Sequence, residues 1–455
     1  MSGHTVNYMD LSHKTIETII KKYCSINNMR NPILILFITF LLIFEFTKKI
    51  RAQSDTNSNN QVSPDTLNSD LDGGILNYSI ENGINLKFSF TNDLLYDVSG
   101  GINTGSTYAG LFTPQLDIDL NKMIGLHEAD MHISVNGTLG GNFNKKAGTE
   151  QGIDNITAFN TWKIYEFWVQ KELFNNHLSF KLGLYDLNSE FDVRQSSLVF
   201  LNPSQAIGPE FSLTGKNGPS IYPTTTLAFR IKYTGNSGFY FQSAILDGVP
   251  GDPEDPYGTH IIINSKNGFL VTGEAGLVKE EGNLNKDHEK FFLGGWYYTS
   301  KFEKLLNTAV PGYPVYQEGN YGIYISGEKF LWSETENPDE GFSAFFRIGI
   351  SSKEVNTVDG YLGFGVNYIG LIPGREMDEL GIAIGAAHNS SKYIAKAKLE
   401  NINLDKYETT IELTYLFQLT NWIKLQPDFQ YVINPVHSYI NDYSLISAIR
   451  LSISL

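Results

Sequence analysis

The sequence predicts an all-β chain: a transmembrane antiparallel β-barrel of sixteen strands, with short periplasmic turns and long extracellular loops. Three observations predict it. Segments of about ten residues alternate apolar and polar from Ile84 to the last residue. Turn-forming residues separate them. An apolar run of the length of a secretory signal precedes them all.

The signal comes first in the chain. Ile33 to Phe44 is apolar except for Thr39, with Arg30 before it and Glu45 after it. About twelve residues are too few for a spanning helix, which needs ~20. They fit the 7–15 residues of a signal h-region. Residues 1–52 are therefore expected to be an N-terminal extension and signal peptide, cleaved after Ala52, with Met29 as an alternative start. Residues 53–75, rich in Asn, Ser, Asp and Pro, are expected to be a flexible periplasmic linker. Residues 76–455 are the expected barrel domain.

The alternation is explicit in several segments. Ile84, Leu86, Phe88 and Phe90 alternate with Asn85, Lys87, Ser89 and Thr91. Met131, Ile133 and Val135 alternate with His132, Ser134 and Asn136. Leu227, Phe229, Ile231 and Tyr233 alternate with Ala228, Arg230 and Lys232, and Ile411 to Phe417 repeats the pattern. In the last segment Leu445, Ser447, Ile449, Leu451, Ile453 and Leu455 share one face. A chain ending inside a strand suits a barrel that closes its last strand on its first. No stretch after Ala52 shows an apolar stripe of helical period.

Charge obeys the same frame. Arg230, Lys232, Arg347 and Arg450 each lie opposite apolar neighbours. An Arg at the bilayer midplane costs about 2–4 kcal/mol, so these side chains are expected to line the pore. The 455 residues carry a formal charge of −15, which argues against a nucleic-acid partner. After residue 52, 27 Lys and Arg face 46 Asp and Glu, a charge of −19. Aromatic residues make up 13%, as aromatic girdles would require, although a soluble β-sandwich could share that composition. The one cysteine is Cys24, so no internal disulfide can form.

The stretch from Trp162 to Pro223 stands apart. Two alternating segments, Tyr165–Lys171 and Leu178–Tyr185, flank a turn at Asn175-Asn176. The long connection after them keeps Phe191, Phe200, Ile207 and Phe211, so it is expected to pack against something. The wording YEFWVQKEL, GLYDLNSEFD, FLN, IGPE, NGPSIYP and LDGVPGDP resembles the carbohydrate-selective, OprB-type porins of Gram-negative outer membranes. GGWYYT, YGIYISGEKFLW, GLIPGREMDELGIA and LQPDFQYVINP extend the resemblance over roughly Leu76 to Leu455.

That resemblance implies a passive channel for glucose and related small sugars, with a constriction lined by charged and aromatic residues. Sugars present hydroxyls and one C–H face, so their site needs polar side chains and an aromatic platform. Resemblance and register together nominate Glu166, Trp168, Asp186, Asn188, Glu190, Asp192 and Arg194 for the constriction. Alternation alone nominates Arg230, Arg347 and Arg450 as pore-lining. A general or cation-preferring porin and a surface-binding barrel scaffold stay open as alternatives.

Other chemistry is thin. Asp247, Asp252 and Asp255 could offer oxygen ligands to calcium, but their Gly- and Pro-rich setting favours a rigid turn. Arg375 either reaches the lumen or pairs with Asp378. No G-x-S-x-G elbow, phosphate-binding loop or H-E-x-x-H motif occurs, so neither catalysis nor a cofactor is expected. The expected partners are small sugars, outer-membrane lipid and lipopolysaccharide, and the barrel-assembly machinery, for a monomer or homotrimer in a Gram-negative outer membrane.

Overall fold

The computed structural model describes residues 83–279, 284–285, 287–306, 313–334, 339–438 and 440–455. The expected signal segment, the linker and the start of the barrel domain lie outside the described residues.

Sixteen antiparallel strands close into one barrel, each paired with its sequence neighbours. The first eight are β1 (Ile84–Gly100), β2 (Gly105–Asp119), β3 (Ala129–Gly140), β4 (Thr161–Leu173), β5 (Leu178–Tyr185), β6 (Thr226–Thr234), β7 (Phe239–Asp247) and β8 (Phe269–Lys279). The second eight are β9 (Glu289–Glu303), β10 (Tyr316–Ser333), β11 (Gly341–Ser351), β12 (Val358–Ile369), β13 (Glu379–Asn389), β14 (Tyr407–Thr420), β15 (Ile423–Ile433) and β16 (Tyr443–Ser454). Closure joins β16 to β1, from Ser89 opposite Ser454 to Gly100 opposite Ser444. Leu455 and Phe88 complete it by exchanging backbone hydrogen bonds.

All the connections at one end are short, whereas the other end carries the longest. One end carries 120–128, 174–177, 235–238, 280–288, 334–340, 370–378 and 421–422. The other carries longer ones, among them 141–160, 186–225, 248–268 and 390–406. Short connections mark the periplasmic end of such barrels and long ones the outer end. The tightest hairpin in the candidate stretch turns at Phe174, Asn175 and Asn176, all at positive φ.

Outward columns are apolar and exposed. Phe229 and Tyr233 on β6, Ile323 and Ile325 on β10, and Ile411 and Leu413 on β14 are examples. Inward columns are polar or small and largely buried, because connections fold into the barrel. Arg230, Arg347 and Arg450 all point inward. One polar group on the outer face, Asn92, is covered by the Tyr108 hydroxyl, which donates to its Oδ1 at 2.5 Å.

The 390–406 connection, one of the expected long loops, is not wholly irregular. It holds a nine-residue helix, Ser391–Leu399, capped where the Tyr393 N–H donates to Ser390 Oγ. Only Ala397 of that helix is buried, so no apolar stripe existed to find. Of the two alternatives for Arg375, the structure shows the second. It pairs bidentately with Asp378, at 2.8 Å twice, within a periplasmic turn.

The outward faces should tolerate no charge. Ile323→Arg, near the middle of β10, is expected to lower the stability of the barrel in lipid vesicles by about 2–4 kcal/mol in urea unfolding. Ile323→Leu should leave it unchanged.

Candidate functional site: a polypeptide crossing inside the barrel

The 186–225 connection leaves β5, crosses the lumen and returns to β6. It has almost no regular structure: three single-turn 3-10 segments and one helical turn, Pro209–Ser212. Its backbone amides therefore need acceptors from elsewhere. Inward glutamates of the wall supply them. Glu274 on β8 accepts from Asp192 N at 2.8 Å. Glu328 on β10 accepts from Gln195 N at 2.9 Å and Ser196 N at 2.8 Å. Glu412 on β14 accepts from Leu201 N at 2.6 Å and from Asn202 N. Glu408 does the same for the 141–160 connection, accepting from Glu150 N and Gln151 N, and also from Val436 N.

Ion pairs fix the crossing further. Arg347 on β11 reaches Asp192 Oδ2 through Nε at 2.7 Å and Glu210 through both terminal nitrogens. Two glycines clear space for that pair. A Cβ at Gly208 would fall 1.9 Å from an Arg347 nitrogen, and one at Gly349 would fall 1.9 Å from a Glu210 oxygen. Arg194 holds Asp192 Oδ1, Ser326 Oγ and the carbonyls of Gln205 and Ala206. Burial pushes the Glu210 carboxyl above its usual range, against the pull of Arg347.

An apolar core lies between the crossing and strands β5 to β10. Phe211 stacks on Trp296 at 5.0 Å and on Tyr324 at 6.3 Å. Leu187, Phe191 and Ile207 join the same cluster. Val199 and Phe200 pack on Phe345 and Ala383 across the barrel. All four apolar residues that suggested packing are thus buried.

The nominated constriction residues fall into two groups. Asp192 and Arg194 are 0% and 1% exposed, sealed among their partners. Glu166, Trp168, Asn188 and Glu190 are only partly buried, and they gather with Asp186 beside the β2–β5 wall. A bulge in β4 makes this possible: Ser134 pairs with Glu166 and Val135 with Ile164, leaving Tyr165 as the extra residue. Both Tyr165 and Glu166 then reach Asp186. The Tyr165 hydroxyl donates to Asp186 Oδ2 at 2.5 Å, and Asp186 N donates to Glu166 Oε1 at 3.1 Å. Asn188 Nδ2 donates to Phe191 O.

Trp168 lies between strand neighbours. The His132 ring of β3 stacks on it at 5.1 Å, and Lys181 Nζ of β5 sits 3.9 Å from its ring centroid. Its Nε1 donates to Glu166 Oε1 at 3.3 Å. His132 in turn contacts Asp117 at 2.6 Å. Glu190 is the hinge between the two groups. It accepts from Lys181 at 2.7 Å, Tyr185 Oη at 2.8 Å and Arg230 Nε at 2.7 Å. Beyond β2, on the neighbouring β1–β16 wall, Arg450 binds Asp93 and donates to Asn155 Oδ1 at 2.7 Å.

Residues that sequence reasoning missed include four wall glutamates: Glu274, Glu328, Glu408 and Glu412. Their signal was present, as carboxylates in the polar column of otherwise apolar-alternating strands. His132, Asp117, Lys181 and Tyr222 were missed as well. Tyr222 donates to Ile156 O and so ties the two lumen connections together. The carboxylates of Asp247, Asp252 and Asp255 each accept a backbone amide two residues on, capping turns. Among the described residues no acid and histidine cluster of metal-binding form occurs.

A closed sixteen-stranded barrel with an apolar exterior and an inwardly folded polar connection defines the class: an outer-membrane porin. Residues 103–455 match the family described as carbohydrate-selective porin, OprB family, and the chain belongs to it. It is 23% identical to Porin B of Pseudomonas aeruginosa over 416 residues, covering 83% of this chain and 89% of that one. A putative porin, QuiX, of Acinetobacter baylyi is 19% identical over 386 residues, 78% of this chain and 85% of that one. The high-pH structure of Pseudomonas putida OprB shares the fold at a TM-score of 0.73 and 19% identity, covering 83% of this chain and 96% of that one. The chain is thus an outer-membrane protein of the Gram-negative type, from a family of channels rather than enzymes.

The crossing generates two expected outcomes. Arg347→Met leaves the Asp192 and Glu210 carboxylates buried with a partner removed, which is expected to cost about 3–5 kcal/mol in vesicle unfolding. The second concerns acid. Burial raises the Glu190 carboxyl, but Lys181 and Arg230 outweigh it and hold it at about 2. Its stabilisation is therefore complete above the ordinary glutamate range, near 4.5, and is lost as pH falls toward 2. Asp186 acts oppositely: burial pushes it up to about 6, so its protonation in mild acid favours the folded crossing. Hydrogen-exchange protection of Leu187–Phe191, corrected for intrinsic rates, should hold down to about pH 4.5 and fall below it. In Glu190→Gln that step should vanish.

Proposed function

We propose that this chain is a passive, carbohydrate-selective diffusion channel for glucose and related small sugars. The observation that carries the reading is the partly buried polar cluster of Glu166, Trp168, Asp186, Asn188 and Glu190, where the crossing polypeptide meets the β2–β5 wall. It combines carboxylates, an amide and an indole edge, which suits a neutral polyhydroxylated solute. His132, Asp117 and Tyr222 extend the same surface. Family membership points the same way.

Within this reading the nominated residues divide their work. Glu166, Trp168, Asp186, Asn188 and Glu190 meet the solute. Asp192 and Arg194, with Arg230 and Arg347, hold the crossing at the distance that sets the pore width. Arg450 does so for the 141–160 connection. Trp168 offers its edge, since His132 and Lys181 lie against the ring. No energy-coupling motif is present in the sequence, so transport runs down the gradient. Binding must stay weak enough to release the solute on the far side.

Single-channel conductance in a planar bilayer tests this, titrated with glucose and with a charged amino acid as control. Saturable block by glucose, weakened several-fold in Trp168→Ala and Glu166→Ala, is the expected outcome. Open channels indifferent to glucose would make the chain a general, cation-preferring porin. Folded protein without conductance would make it a surface scaffold.

A further inference from the structure

The barrel wall has a dip. Strands β5, β6 and β7 contain only 8, 9 and 9 residues, whereas the others run from 11 to 18. A tilted strand needs about 9–11 residues to cross the hydrocarbon layer. The adjoining part of β4 is also one-sided. β4 pairs with β3 over Thr161–Lys171 but with β5 only over Phe167–Leu173. The side of Thr161–Glu166 that faces β5 therefore lacks a strand partner. An open sheet edge does not occur against lipid.

The 248–268 connection closes this gap. Thr259 Oγ1 donates to Ile164 O at 2.9 Å, and Gly258 N donates to Thr161 Oγ1 at 3.0 Å. Thr225 Oγ1 takes the next carbonyl, that of Tyr165. Tyr257 packs edge-on against Phe159. The chain thus leaves β7 at Asp247, fastens to the free edge of β4 and returns to β8 at Phe269. It passes over the ends of the three short strands.

Just beyond the fastening the chain is apolar and uncovered. Ile261 is 54% exposed and Ile263 is 73% exposed, with Ile262 between them and no charge in the run. On β4 itself the outward neighbours of the fastening are Trp162, 65% exposed, and Ile164. These belong to the apolar exterior, and the isoleucines follow within four residues of Thr259, which is fastened to Ile164. Polar groups of the same connection stay together on their own: His260 lies 3.4 Å from Asp255 and contacts Tyr257 O.

We propose that Tyr257–Ile263 is a lipid-contacting flap that completes the membrane-facing wall above β5–β7. Ile261 and Ile263 sit among acyl chains of the outer leaflet, and Tyr257 sits at the headgroup boundary, where amphipathic rings concentrate. The occupant is lipid hydrocarbon. The attachment of this run to β4 at Ile164, beside the exposed Trp162 and where the wall is at its shortest, carries the assignment.

Collision accessibility of nitroxide labels tests it on the full chain in liposomes, in a Cys24→Ser background. Labels are placed singly by Ile263→Cys, by Leu293→Cys in the exterior belt and by Leu399→Cys at the end of the extracellular helix. Expected is an oxygen-over-nickel-chelate ratio at position 263 that matches position 293. A ratio at 263 that matches 399 overturns the flap. Spectral broadening at 263 that disappears on dilution with unlabelled protein also overturns it, in favour of a second copy of the chain. Because the readout is collision rather than transport, it is independent of sugar selectivity.

Discussion

A polypeptide that crosses the inside of a barrel must find acceptors for its own amides. The 186–225 connection is too irregular to satisfy them internally, and burial makes each unsatisfied group costly. The wall answers with carboxylates at Glu274, Glu328 and Glu412, each aimed at one or two successive N–H groups. Hydrogen bonds to a charged acceptor are worth about 1.5–3 kcal/mol each, more than neutral ones. The places where these glutamates stand dictate the path of the crossing. Arg347 and Arg194 then set its depth, through Asp192 and Glu210. Such buried pairs are weak sources of net stability, but each is intolerant of losing one member. Their effect is positional: few other placements of the connection would pair every charge.

The aromatic excess has two separate uses that composition could not distinguish. One part lies outside, where Phe229, Tyr233, Tyr297 and Phe429 face lipid. Another lies inside, where Phe211, Trp296, Tyr298 and Tyr324 form a dry core between crossing and wall. A channel with an empty lumen would need only the first set. The second set makes the barrel asymmetric, packed solid beside β7–β10 and polar beside β2–β5. In the proposed channel the solute takes the polar side.

Much of the fold was legible because lipid enforces one rule on every strand. Outward positions must be apolar, so period-2 alternation marks strand, register and facing at once. That is why Arg230, Arg347 and Arg450 could be turned inward from sequence, and why sixteen or seventeen strand segments could be counted, of which the even-number rule for such barrels selects sixteen. The inward packing of the long connection was legible from Phe191, Phe200, Ile207 and Phe211. The roles of its charges were not. Asp192 and Glu190 stand two residues apart in a segment with no period, yet one is sealed and the other meets the accessible side. Which of them touches solvent depends on Arg347 and Glu274, from strands 80 residues or more away in sequence. The short helix at Ser391–Leu399 escaped for a related reason: it buries one alanine, so burial wrote no stripe into it.

Several of the words by which the chain resembles its family are parts of this crossing. In IGPE, Gly208 makes room for Arg347, Pro209 starts the helical turn and Glu210 carries the ion pair. In FLN, Leu201 offers its amide to Glu412, and Asn202 caps the next turn. In NGPSIYP, Ser220 ties back to Tyr185 O, and Tyr222 reaches the second lumen connection. These residues are buried scaffold, so the resemblance is a resemblance of support. Under the proposed function, the groups that meet the solute are carried on that support with their side chains already held: Glu190 by three donors, Asp186 by Tyr165, Trp168 by its strand neighbours. Groups held in this way lose little freedom when a solute arrives. Discrimination can then rest on a few oriented hydrogen bonds, each weak enough to let the solute go.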